Sequence, residues 1–209
     1  ARKKVDLPQF GFPASASVII AIPFTWYHLN LRVPMSFVER NCYYFDAPGP
    51  ANTVDCARFA LERARELSIK RVVVASTSGD TALAFYRMLR GSGVKLVVVT
   101  HVVGFSRPGE WEFSPEAART LKLEKIPIVT GTHVLSGMER AFSRSPKVGG
   151  GSRTEAVAEA LRRVISVGLK VAVECTLIAA DQGVIPVDKE VIAVGGTASG
   201  ADTVCVVRP

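Results

Sequence analysis

The sequence predicts an α/β protein of three layers, with helices on both faces of a mostly parallel sheet. Three observations predict that class. Short apolar runs rich in β-branched residues, 71–75 (RVVVA), 95–100 (KLVVVT) and 126–130 (IPIVT), alternate with segments of helical periodicity. Those runs are apolar almost throughout rather than every second residue, the pattern of strands covered on both faces. The last two candidate strands, 190–194 and 203–207, are joined only by GGTASGAD. That is too short for a helical crossover, so the final strand should run antiparallel.

From residue 43 each element has a local reason. Residues 43–45 (YYF) form a short aromatic strand or edge. Asn52 or Thr53 caps a helix to about residue 67, with Ala57, Ala60, Leu61 and Ala64 at helical spacing. After strand 71–75 a helix runs from about 81 to 90, and Gly91-Ser-Gly turns into strand 95–100. Residues 102–112 form a loop with glycine, proline and aromatics. Ser114 at N-cap and Pro115 at N1 open the next helix. Strand 126–130, a short helix over 135–142, a glycine-rich loop over 147–152 and an amphipathic helix over 154–164 follow. Segment 171–180 is ambiguous: its β-branching reads as strand, whereas Lys170, Glu174 and Asp181 on one helical face read as a buried helix. The helix is favoured.

Residues 1–42 differ in kind. Pro8, Pro13, Pro23 and Pro34 interrupt every candidate helix, and the apolar run 18–23 is short. A signal peptide fits poorly, because Asp6 and two prolines separate the basic start from that run and no small-x-small site follows. Two readings stay open: an arm packed on the body or on a partner subunit, in which case a homo-oligomer is accommodated, or a true translation start at Met35. The organisation is thus an arm over 1–42 and one domain over 43–209.

Composition narrows the function classes. The 209 residues are 48% hydrophobic, enough for a full core, and no apolar run approaches the roughly 20 residues of a membrane span. Of the net +7, residues 1–42 contribute +3, from Arg2, Lys3, Lys4, Arg32 and Arg40 against Asp6 and Glu39. In the body, basic residues alternate with acids on helices and no basic block carries interleaved aromatics, so neither a nucleic-acid nor a membrane partner is expected. Cys42, Cys56, Cys175 and Cys205 make no CxxC pair and have no histidine at ligand spacing. They read as reduced thiols of a cytoplasmic protein, and no metal site is expected.

The polar chemistry collects just past the strand ends, where open α/β sheets bind ligands. After the first strand comes STSGDT: Ser76, Thr77, Ser78, Gly79, Asp80 and Thr81. A strand that ends in small hydroxyl residues and starts a helix can cradle an anion on unpaired amides, with the helix dipole in support. An ordinary turn with a Ser or Thr cap fits as well, and the Asp80 carboxylate would have to point away from an anion. After the second strand stand Thr100, His101, Gly104, Phe105, Ser106 and Arg107; after the third, Gly131, Thr132, His133, Ser136 and Gly137; after 190–194, Gly195, Gly196 and Thr197. The loop GGGSRTE (149–155) is a second candidate cradle, where Arg153 or Arg140 could pair with a phosphate. His101, His133 and Glu174 are the candidate acids, bases or catalytic groups, with Glu139 and Asp181 as further carboxylates. No triad is defined, and no dinucleotide, P-loop, nucleophile-elbow or zinc-protease motif is present.

The loop TSGDTA (77–82) after a strand is similar to the loop that opens the C-terminal domain of pyruvate kinase, and 184–209 resembles that domain's closing segment. More closely, the whole body from about residue 43 to 209 resembles a stand-alone archaeal and bacterial family of pyruvate kinase C-terminal-like proteins. The likeness is carried by YFDAPGPANT, ERARELSIKRVVVASTSGDTA, THVVGF, HVLSGMERAFSR, GGGSRTEAVAEALR and GGTASGADT. It implies a mixed sheet of five or six strands, order 3-2-1-4-5. It also implies that the catalytic barrel has no counterpart here, so no pyruvate kinase activity is expected. In the allosteric enzymes the two matching loops hold an effector sugar phosphate, and Thr77, Ser78, Gly79 and Thr81 correspond to phosphate positions. Asp202-Thr203 stands where the family has Thr-Asn. Members of the stand-alone family are associated with flavin mononucleotide, FMN. The expectation is therefore a protein binding a phosphorylated small molecule, with FMN as cofactor, the phosphate on 77–81 and the ring near His101, Phe105 and His133. The alternative is an enzyme using that flavin or acting on a phosphorylated metabolite.

Overall fold

The computed structural model describes residues 39–147 and 150–209. The readings made for residues 1–38, including a start at Met35, lie outside them. In chain order the elements are α1 (Thr53–Glu66), β1 (Arg71–Ala75), α2 (Asp80–Leu89), β2 (Lys95–Thr100), α3 (Pro115–Leu123), β3 (Ile128–Thr130), α4 (Met138–Ser143), α5 (Arg153–Ala160), α6 (Val167–Asp181), β4 (Val191–Gly195) and β5 (Thr203–Val207). A 3-10 turn at Pro50–Asn52 leads into α1, and a π-helical turn at Leu161–Ile165 joins α5 to α6.

The sheet has five strands in the order β3-β2-β1-β4-β5. The first four run parallel and β5 pairs antiparallel to β4 across the short turn, as the sequence predicts. The aromatic segment 43–45 adds no sixth strand: Tyr44 makes a single bridge, and the Tyr43 ring stacks on Phe59 of α1 at 4.4 Å. Asp46, Pro48 and Pro50 leave no room to extend it. Strand β3 is shorter than 126–130 because pairing with β2 starts at Ile128; Pro127 enters only through its carbonyl, which accepts from Val98 N.

Alternate residues of the strands feed two cores. Val72, Val74, Val98, Ile192 and Val204 pack with Phe85, Leu121 and Ala60 beneath α1, α2 and α3. Val73, Val97, Val99 and Val191 pack with Ile178 and Ala179 of α6 on the other face. The ambiguous segment 171–180 is thus the body of a helix lying on the sheet, and Ser166 caps it by accepting from Leu169 N at 2.9 Å. Its start is pressed onto the end of β4: a Cβ on Gly195 would stand 2.1 Å from the Gly168 carbonyl oxygen. This close approach brings the first turns of α6, with Lys170 and Glu174, to the carboxyl edge of the sheet.

The closing turn is locked by a buried aspartate. Asp202 is fully buried; its Oδ2 accepts from Gly49 N at 3.1 Å and Thr197 N at 2.9 Å, and Oδ1 accepts from Thr203 Oγ1 at 3.0 Å. A buried carboxylate with three donors is a satisfied structural anchor. No helix among the described residues is long and apolar enough to cross a membrane.

Candidate functional site

Strand order reverses between β1 and β4, so the chain leaves a crevice at the carboxyl ends of these strands, the place where open α/β sheets take ligands. A cleft of about 360 Å³ lies there. Its wall includes Ser76, Thr77, Ser78 and Thr81 after β1, Thr100, His101 and Phe105 after β2, His133, Ser136 and Arg140 after β3, Lys170 and Glu174 on α6, and Gly196 and Ser199 after β4. A larger hollow, about 740 Å³, lies between residues 39–43, α1 and β5; its two arginines, Arg40 and Arg63, are already paired with Glu66 at 2.8 and 3.0 Å.

Two imidazoles face the cleft, each with a carboxylate at Nδ1. His101 Nδ1 stands 2.9 Å from Glu112 Oε2, and its Nε2 is 3.4 Å from Thr77 Oγ1. Glu112 is itself held by Ser106 Oγ, which donates to Oε1 at 2.6 Å; these bonds keep its carboxyl below the usual range. In neutral His101 the carboxylate fixes the proton on Nδ1 and leaves Nε2 to accept. His133 Nδ1 lies 3.5 Å from Glu174 Oε2. Burial is the main cause that pushes the His133 imidazole below its ordinary value, partly offset by Glu174 and reinforced by the nearby charges of Lys170 and Arg140.

Glu174 is the hub of the α6 wall. It is 4% exposed, pairs closely with Lys170 Nζ and accepts from Leu135 N through Oε1 at 2.9 Å. Lys170, 2% exposed, also donates to Ser136 Oγ at 3.2 Å. Burial draws its ammonium below lysine's usual range, against the pull of Glu174. Lys170 and Glu174 are one helical turn apart, so the α-helical period alone aligns them.

Aromatic surface completes the site. Phe105, 48% exposed, stacks on His133 with centroids 5.3 Å apart and planes 15° apart, and it contacts His101 at 4.0 Å. Phe105 and His133 form a stacked pair beside the hydroxyls, with the His101 ring tilted against both.

Of the residues the sequence singles out, the fold brings Thr77, Ser78, Thr81, His101, Phe105, His133, Ser136, Gly196 and Glu174 to one cleft. Others lie off its wall, among them Gly79, Asp80, Gly104, Thr197 and Arg153. Gly79 is buried at φ 106°, and a Cβ there would stand 2.5 Å from Ala117 Cβ, so helix packing and backbone conformation explain this glycine. Asp80 is exposed and accepts from Ser78 Oγ at 2.8 Å. Gly104 shapes the 102–112 loop, its N–H bonded to Glu110 O. Thr197 is tied to Asp202 through its N–H. Arg153 is exposed at the start of α5, because Ser152 caps that helix and turns the next side chain outward. The loop before α2 also uses its own amides: Ser76 Oγ accepts from Gly79 N and Ala82 N, both at 3.2 Å, and Asp80 N reaches Ser78 Oγ at 3.4 Å.

Two participants escape sequence reasoning. Glu112 sits eleven residues beyond His101 in an irregular loop, where no periodicity links them. Arg162 reaches the wall from the π-helical turn, which no local pattern announces. Lys170 does carry a signal, since a lysine four residues before a glutamate on an otherwise apolar helix marks a buried pair.

A five-stranded 3-2-1-4-5 sheet with an antiparallel last strand and a polar cleft at the strand-order reversal defines a three-layer α/β domain with a strand-end site. Residues 55–207 match the family described as the pyruvate kinase alpha/beta domain, and the chain belongs to that family. Among solved structures, a pyruvate kinase from Cryptosporidium parvum is similar over 78% of this chain and 24% of that one, at 18% identity and a TM-score of 0.40. A second Cryptosporidium parvum pyruvate kinase structure is 20% identical over the same shares, with a TM-score of 0.37. The chain thus spans about a quarter of the length of those enzymes.

Proposed function

We propose that this protein binds a phosphorylated small molecule with a flat ring, FMN first among the candidates, in the cleft at the carboxyl ends of β1, β2 and β4. One observation supports this above others: an exposed aromatic ring, Phe105 stacked on His133, shares the cleft with the guanidinium cations of Arg140 and Arg162. A flat ring gains about 1–3 kcal/mol by stacking on such an aromatic ring, and the cations attract an anionic group. The volume, about 360 Å³, falls in the range of small-molecule sites. Thr77, Ser78, Thr81 and Ser136 offer hydroxyls to the polar parts of the ligand. A bound flavin would supply hydride and single-electron chemistry through its ring. Mass spectrometry of small molecules released from natively purified protein tests the reading. A phosphorylated ring compound, with flavin absorbance if it is FMN, is expected. Protein that releases nothing and fails to bind added FMN would refute it.

The two carboxylate-backed imidazoles favour a second reading, an enzyme that moves a proton on the bound molecule or uses its flavin. His101 Nε2, with Glu112 behind it, could take a proton from a group beside Thr77, and Glu174 lies 3.5 Å from His133 Nδ1. Reduction of the bound flavin by a nicotinamide cofactor, or turnover of a phosphorylated metabolite that is lost in His101→Gln, would establish it. Bound flavin inert to every reductant, with no metabolite turned over, would remove it.

A further inference from the structure

We infer that the ligand's phosphate is held by Arg140 and Arg162, on the side of the cleft formed by α4, the π-helical turn and α6, and not by the start of α2. This rests on the phosphorylated-ligand reading above and goes beyond it by assigning the two ends of the molecule. At the start of α2 the amides of Gly79 and Ala82 are already bonded to Ser76 Oγ, and that of Asp80 to Ser78 Oγ. The Asp80 carboxylate at the first helical position adds negative charge there, which opposes a second anion at this end of the helix.

The other side holds one cation without a counter-ion among the described residues. Lys170 is committed to Glu174, and Arg162 reaches Glu159 at 2.6 Å. Arg140 is half-buried on the wall, and among the described residues no carboxylate lies within ion-pair distance of its guanidinium. It lies near enough to Lys170 and His133 for its charge to bear on both. A guanidinium without a counter-ion, among groups that a positive charge disfavours, is a cation awaiting an anion. Arg162 approaches from a π-helical turn, a departure from helical geometry that often accompanies functional sites. Ser136 Oγ, on Lys170, adds a hydroxyl at the same place. With the phosphate there, the ring falls against Phe105 and His133, and the hydroxyls of 77–81 face the middle and ring of the ligand.

The test compares FMN with riboflavin, which lacks the phosphate, by quenching of flavin fluorescence on titration with the full chain. Arg140→Met should weaken FMN about tenfold or more while leaving riboflavin within about twofold, with partial recovery in Arg140→Lys. Arg162→Met should act in the same direction, which guards against a folding defect in one variant. Asp80→Asn should leave the FMN-to-riboflavin ratio as in the wild type. An unchanged ratio in both arginine variants, or a ratio that rises in Asp80→Asn, would place the phosphate at α2 and overturn the inference while the ligand reading stands. Wild-type protein that binds neither FMN nor inorganic pyrophosphate, followed by calorimetry, would overturn both.

Discussion

Replacing Glu174 by glutamine isolates the electrostatics of the α6 wall. The substitution keeps the shape and the Oε1 acceptor for Leu135 N but removes the charge that balances Lys170. Both partners are almost wholly buried, at 2% and 4% exposure. Breaking such a pair costs about 3–5 kcal/mol, because the remaining charge is stranded. An upper bound follows from titration: Lys170 can shed its proton at pH 7, and from an ordinary lysine value that costs about 5 kcal/mol. At this chain length each kcal/mol lowers the melting midpoint by about 2–4 °C, so a drop of roughly 6–20 °C is expected. The double variant Lys170→Met/Glu174→Gln removes the stranded charge as well and should recover most of the loss, to within about 2 kcal/mol of the wild type. Thermal and denaturant unfolding, followed by circular dichroism, measures all three variants with Lys170→Met as the fourth corner of the cycle. A loss under about 1 kcal/mol in Glu174→Gln, or a double variant that equals the sum of the single ones, would show that the pair is not a coupled, buried unit.

Three further outcomes follow from the same structure. Gly195→Ala should be destabilised by about 3 kcal/mol or more in denaturant unfolding, because its Cβ would stand 2.1 Å from the Gly168 carbonyl oxygen and neither backbone can yield without lifting α6 from β4; a wild-type midpoint would contradict that packing. Burial raises the Cys56 thiol far above its usual range and pushes Cys175 and Cys205 up to about 12, so native protein at pH 8 should titrate Cys42 alone with an aromatic disulfide reagent and all four thiols only after denaturation. His133 is held below its unfolded value near 6.5, so the unfolded state takes up the proton first as pH falls; its contribution is complete above that value and is lost as pH drops toward the lowered native one. Between pH 7 and 5 the midpoint should therefore fall less steeply in His133→Gln than in the wild type, and identical slopes would exclude this coupling.

Much of the fold is legible in the sequence because short, fully apolar strands have only one place to go. Segments 71–75, 95–100 and 203–207 are strands to the residue, and the seven-residue link before the last makes its direction a matter of reach. Segment 171–180 shows why burial blurs periodicity: a helix lying on a sheet is apolar nearly all round, and only the Lys170–Glu174 pair discloses its period. The short helix read over 135–142 begins at Met138, since residues 133–137 close a turn in which Gly137 N bonds to His133 O. The amphipathic helix over 154–164 passes into a π-helical turn at residue 161.

The candidate site is legible to the extent that it is built from strand ends. His101 and His133 follow parallel neighbours β2 and β3, so the sheet itself sets their ring centroids 5.4 Å apart. Groups supplied by loops are another matter. Glu112 reaches His101 only through the path of the 102–112 loop, and Arg153, beside a glycine run that resembles a cradle, is turned outward by the cap next to it. Gly79 resembles a phosphate glycine in sequence, while in space it makes room for Ala117.

The central claim is that the cleft between the β1, β2 and β4 ends is the ligand site, and chemical-shift mapping tests it most directly. On titration of isotopically labelled protein with FMN, amide and imidazole shifts are predicted at Thr77–Thr81, His101, Phe105, His133, Ser136 and Arg140, with saturation at one equivalent. Shifts confined to the hollow between residues 39–43 and β5, or no shifts at millimolar FMN, would contradict it.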